Sequence, residues 1–118
     1  METISSFEDA VAYALTLPDT ELSTSYGKPA VKVRSNGRAF LYTGHEHQSS
    51  FGIAIDLDTL EILKETDPDT FFQTPHYEGY PAVLIRFGSN DPQRVRAMIE
   101  RSRDQIAAKP PVKPRKKK

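Results

Sequence analysis

Apolar positions along this chain change their period several times, and each change marks an element. Phe7, Val11, Ala14 and Leu15 recur at helical spacing. Ser5 or Ser6 stands ahead of them as a cap, Glu8 and Asp9 suit the positive dipole end, and Pro18 closes the run. These features predict a helix over about 7–17 with one buried stripe. Residues 21–26 read as a short edge strand, and Ser25-Tyr26-Gly27-Lys28-Pro29 as a stiff turn.

The period then falls to two. Ala30–Ser35 and Arg38–Thr43 flank Asn36-Gly37, and Asn-Gly between alternating runs is the strongest short-range hairpin signal, since a type I′ turn needs positive φ at both central residues. A two-residue turn pairs Ser35 with Arg38, Val33 with Phe40 and Val31 with Tyr42. One face then carries Val31, Val33, Phe40 and Tyr42. The other carries Lys32, Arg34, Ala39 and Leu41, a partly basic outer surface with Arg38 beside the tip.

Residues 44–50 are polar and loop-like, and 51–56 read as a largely buried strand. Asp58 with Glu61 three positions on is a capping pattern for a helix to about Thr66, which packs through Leu57, Leu60, Ile62 and Leu63. Asp67–Thr70 forms a turn, Phe71-Phe72 leads to a rigid loop, and 80–87 form the next strand. Asp91 caps and Pro92 starts a last helix. Its inward stripe is Val95, Met98, Ile99 and Ile106, interrupted by Ser102, while Arg94, Arg96, Arg101 and Arg103 lie largely outside it. The fold class expected is α+β, one domain with a mostly antiparallel sheet packed by N-terminal, middle and C-terminal helices.

Composition sharpens this picture. With 118 residues and 37% hydrophobic content there is one core to build. Cysteine is absent, which removes disulfides, thiolate metal sites and thiol chemistry. Residues 1–6 lack a signal peptide's basic and apolar regions, and no apolar run approaches the ~20 residues of a membrane span, so the expectation is a cytoplasmic domain without membrane contact.

The formal net charge of zero conceals a split. Six of the 16 basic residues lie in positions 109–118, leaving 10 basic against 16 acidic residues in 1–108, a net of about −6. Residues 1–108 therefore read as the folded domain and 109–118 as an extended Pro/Lys-rich tail. Its cations, Lys113, Arg115, Lys116, Lys117 and Lys118 among them, form either an electrostatic arm for phosphates or a solvated end.

Chemical motifs are sparse. His45-Glu46-His47 with His76 invites a metal reading, yet a loop setting and the lack of further nominated ligands argue for solvated histidines, so neither metal nor cofactor is expected. Asp56/Asp58 and Asp67/Asp69 sit where caps and turns already explain them. No phosphate loop or nucleophile elbow occurs, and no catalytic residue is nominated.

The loop Thr74-Pro75-His76-Tyr77-Glu78-Gly79-Tyr80-Pro81 has two readings. It is a stiff scaffold, or it projects His76 and Tyr77 toward a protein or small-ligand partner. Together with Leu17-Pro18, Ser25–Val33, Asp67-Pro68 and Phe71-Phe72, this loop resembles the MmcQ/YjbR family of small bacterial proteins over most of positions 1–105. That resemblance implies an α+β domain likened to a double-wing DNA-binding arrangement. The chain departs from the family in its Ser35–Arg38 turn and in its tail. The function expected is weak or non-specific contact with double-stranded DNA phosphates through Lys28, Lys32, Arg34, Arg38 and the tail. The alternative is a non-catalytic interaction module.

Overall fold

Among the described residues, six strands and three helices form in the order α1 (Phe7–Ala14), β1 (Thr20–Ser25), β2 (Lys28–Val33), β3 (Ala39–Thr43), β4 (Ser50–Ala54), α2 (Leu57–Thr66), β5 (Phe71–Phe72), β6 (Ala82–Arg86) and α3 (Pro92–Ala107). The computed structural model describes residues 3–43, 49–75 and 77–111. The strands make one antiparallel sheet in the order β1-β2-β3-β4-β6-β5. The expected α+β single domain is what the chain adopts, and residues 20–25 do sit at a sheet edge.

Register explains which side is core. Partners across a ladder share a face, so Leu22, Val31, Leu41, Ile53 and Val83 form one row. With Phe51, Phe71 and Ile85 this face packs on Ala10 and Ala14 of α1, Leu60 and Leu63 of α2, and Val95, Ile99 and Ile106 of α3. The opposite row is Ser23, Ala30, Tyr42, Gly52, Leu84 and Phe72. All three of these helices thus lie on one side, and among the described residues the other side of the sheet carries no helix.

The hairpin register departs from expectation. Ala30 pairs with Tyr42, Val31 with Leu41 and Lys32 with Ala39, and the step between the last two leaves Phe40 as an extra residue. The turn is also longer: Val33 N–H donates to Arg38 O at 2.8 Å and Gly37 N–H to Val33 O at 2.8 Å. Gly37 alone of the Asn36-Gly37 pair has positive φ, +74°. The bulge lets consecutive Phe40 and Leu41 both reach the core, each fully buried, and turns Tyr42 to the opposite face. The expected register would leave Leu41 on the outer side, forfeiting about 1.5–3 kcal/mol of burial. Ser102, itself buried, donates to the Phe40 carbonyl at 3.1 Å and satisfies the group that the bulge takes out of the ladder.

The type I′ signature occurs instead at Tyr26 (φ +54°) and Gly27 (φ +79°), which join β1 to β2 with Ser25 paired to Lys28. Tyr is a poor residue at positive φ, so the local signal at this turn is weak.

Helix ends also shift. The first helix stops at Ala14 because side chains compete for its last carbonyls: Thr16 Oγ1 donates to Tyr13 O and Thr20 Oγ1 to Ala14 O and Leu17 O. Leu15 consequently lies outside the helix and is exposed. Asp56, not Asp58, caps α2 by accepting from Thr59 N at 3.0 Å, and Leu57 and Ile62 are exposed while Leu60 and Leu63 are buried. Ser6 and Asp91 cap α1 and α3, with Pro92 opening α3.

Candidate nucleic-acid interface

The helix-free sheet face presents cations at two places. On β2, Lys28 and Lys32 share it with Ala30 between them, beside Ser25, Ser23 and Glu21 of the edge strand. Lys28 is exposed and Lys32 partly so, and among the described residues neither forms an ion pair. On β6, Arg86 stands on the same face as Leu84, its guanidinium 4.0 Å from the centre of the Phe72 ring. Arg86 was not anticipated. The alternation Ala82, Leu84, Arg86 against Val83, Ile85 is its sequence signal.

The other two hairpin cations are partly committed to the protein. Arg34 donates from Nη2 to Thr20 O at 3.1 Å and its Nε lies 3.6 Å from Glu21, with both side chains substantially exposed. Arg38 donates from Nε to Pro110 O at 2.6 Å. The tip therefore touches the start of the tail, where Lys109 N–H also bonds to Ile106 O. Lys113, Arg115, Lys116, Lys117 and Lys118 lie outside the described residues.

The α3 arginines are structural ties. Arg94 donates to Thr66 Oγ1 and stacks toward Phe71, Arg96 lies over Tyr13, Arg101 is 3.8 Å from Asp56, and Arg103 reaches Pro18 O at 3.0 Å. They do not extend the sheet's cationic surface.

The Gln73 side chain ties down the segment that runs to Ala82. Gln73 Nε2 lies within donating distance of the carbonyls of Tyr77, Tyr80 and Ala82, at 2.8–3.1 Å, and its Oε1 accepts from Lys64. Tyr77 is half-buried, and burial raises its phenol pKa. The Tyr42 phenol is raised further, chiefly by burial and then by Tyr77 nearby. Tyr42 lies across Gly52 so closely that a Cβ there would meet its Cε1 at 2.6 Å. Tyr77 thus turns toward the sheet. His76 falls outside the described residues, as do His45, Glu46 and His47.

Beyond this face, a groove of about 670 Å³ runs between the start of α2 and the end of α3, lined by Ala54, Leu57, Pro81, Ile106 and Lys109. Asp56 lies at its edge, with Gln105 paired to both its carboxylate and its backbone N–H. No three His, Asp or Glu side chains converge on a possible ion among the described residues, and no described helix is long and apolar enough to cross a membrane. Comparison with known proteins returns no matching family model, no similar curated protein and no similar solved structure.

Proposed function

We propose that this chain is a non-catalytic domain that holds double-stranded DNA weakly and without base preference, through phosphate contacts on the helix-free sheet face and the basic tail. The observation that carries the reading is the pair Lys28 and Lys32, on one face of β2 with no ion-pair partner among the described residues. Arg86 extends that face, and Ser23 and Ser25 add hydroxyl donors beside it. Such contacts position a backbone without reading bases. The acidic body opposes them, which keeps affinity in the non-specific range of ~10⁻⁴–10⁻⁶ M at physiological salt. This function agrees with what the MmcQ/YjbR resemblance implies.

The test is a salt titration of binding to labelled duplex DNA by the full chain, by Lys28→Glu with Lys32→Glu, and by a chain lacking 109–118. Losing two phosphate contacts lowers the log–log salt slope by about 1.8, at roughly 0.9 per contact. Duplex binding by the double variant at wild-type strength and slope would remove the sheet face from this account.

The groove beside Asp56 favours one second reading, a small-ligand or protein-interaction module. Its volume falls within the ~300–1,000 Å³ of ordinary ligand pockets, and most of its lining is apolar. Leu57→Glu, which places a carboxylate in that lining, then abolishes ligand capture without altering DNA binding.

A further inference from the structure

Two non-glycine residues in the described chain have positive φ, Asp19 and Tyr26. Asp19 is explained locally, since its carbonyl accepts from Arg34 N and its carboxylate from Ser35 N. For Tyr26 the type I′ turn accounts for the backbone angle but not for the choice of residue. Its side chain makes no hydrogen bond or ring contact among the described residues, and it is 102% exposed relative to a free reference. A bulky residue in this backbone region is strained, and a position that Asn or Gly fills easily has been given to a ring that packs on nothing.

Strain with no return inside the molecule points to a return outside it. The surroundings narrow the partner. Residues 23–29 are Ser-Thr-Ser-Tyr-Gly-Lys-Pro, so Tyr26 is the one aromatic ring in a segment of hydroxyls, one cation and an exposed proline. A protein hot spot instead anchors in a pocket within a ring of supporting contacts. A lone aromatic beside hydroxyls and lysines fits a nucleic-acid strand, whose bases offer a flat face to any ring and whose phosphates take the polar groups.

We infer that Tyr26 is a base-stacking residue, its ring taking an unstacked base of a single strand whose phosphates rest on Lys28 and Lys32. This rests on the nucleic-acid reading above and adds the ligand class that the hairpin tip selects. The type I′ turn fixes the ring at the extreme end of the β1–β2 hairpin, so it reaches a base before the sheet face meets the backbone.

The experiment measures fluorescence anisotropy of labelled oligothymidylate and of a duplex of equal length, at low salt, with the full chain. The variants are Tyr26→Asn, Tyr26→Phe, and Lys28→Glu with Lys32→Glu. Asn accepts positive φ, so Tyr26→Asn folds with a melting temperature at or above that of wild type. Stacking predicts that it binds oligothymidylate roughly 5- to 150-fold more weakly, changes duplex binding little, and that Tyr26→Phe keeps wild-type affinity. Wild-type binding of oligothymidylate by folded Tyr26→Asn overturns the stacking role and leaves the phosphate reading intact. Equal losses on duplex and single strand also overturn it. Wild-type chain that binds neither nucleic acid removes both the stacking role and the reading beneath it, whereas weakening by the lysine variant alone keeps only the latter.

Discussion

The side-chain amide of Asn36 donates to the carbonyl of Ile106 at 2.8 Å, joining the tip of the β2–β3 hairpin to the last turn of a helix 70 residues away. The same amide reaches Lys109 O at 3.2 Å, and its oxygen accepts from Arg38 N. Asn36 is buried and does not have positive φ. The amide is an additional donor to Ile106 O, beside the N–H groups of Ala108 and Lys109, and it partners Lys109 O while its oxygen takes Arg38 N–H, so Asn36 ties the hairpin tip to the end of α3.

Asn36→Ala should therefore cost about 1–3 kcal/mol, the penalty for buried polar groups left unpaired. Asn36→Gly should cost no less. In a type I′ turn glycine is among the best substitutes, so comparing the two by urea denaturation separates the tie to α3 from the turn.

Ser102→Ala tests the bulge. It removes the donor to Phe40 O and leaves that carbonyl buried, with an expected loss of about 1–3 kcal/mol in chemical denaturation and no change in helix content by circular dichroism.

Gly52→Ala should destabilise by about 1–3 kcal/mol, because the added methyl meets the Tyr42 ring at 2.6 and 2.9 Å. The clash disappears if the ring is removed. In a double-mutant cycle with Tyr42→Ala, the alanine at 52 should then cost far less, giving a measurable coupling energy.

Asp56 carries an acid-sensitive share of stability. Bonds from Thr59, side chain first and then backbone, with a further bond from Gln105, lower its pKa from 3.8 to about 2. A depressed carboxylate favours the folded state above its unfolded pKa, and this share is lost as pH falls through the folded value. Between about pH 4 and pH 2, Asp56→Asn should show a shallower loss of stability than wild type in melts taken across that window. Asn is itself a good cap, which keeps the comparison one of charge.

Elements were legible where local chemistry was left unopposed. Asp91-Pro92 started the last helix as read, and Val95, Ile99 and Ile106 took the core as their spacing required. The α2 cap was legible only to within two residues, since Asp56 and Asp58 both suit the role locally. Gln105, 49 residues on, holds Asp56 through its carboxylate and backbone N–H. The hairpin failed for the same physical reason: Asn36-Gly37 is a strong local signal, but the end of α3 and Ser102 both act on β2–β3 from afar. Of the candidate site, Lys28 and Lys32 stayed available, while Arg34 and Arg38 found partners no local pattern could show. Tyr26 was legible only as part of a stiff turn, because its significance lies in a backbone angle that tyrosine rarely adopts.

The bulge at Phe40 also bears on how the chain reaches its fold. During synthesis residues 28–43 leave the ribosome long before residues 92–107, so the hairpin first meets its strongest turn signal without the helix that contradicts it. Its native pairing is fixed by contacts spanning 62 and 70 residues, the kind of distant closure that slows folding. Pairing around a two-residue Asn36-Gly37 turn differs from the native register by one residue at Val31 and by two at Lys32. Contacts made by α3 thus bear on the alignment of β2 with β3, which lie far ahead of it in the chain.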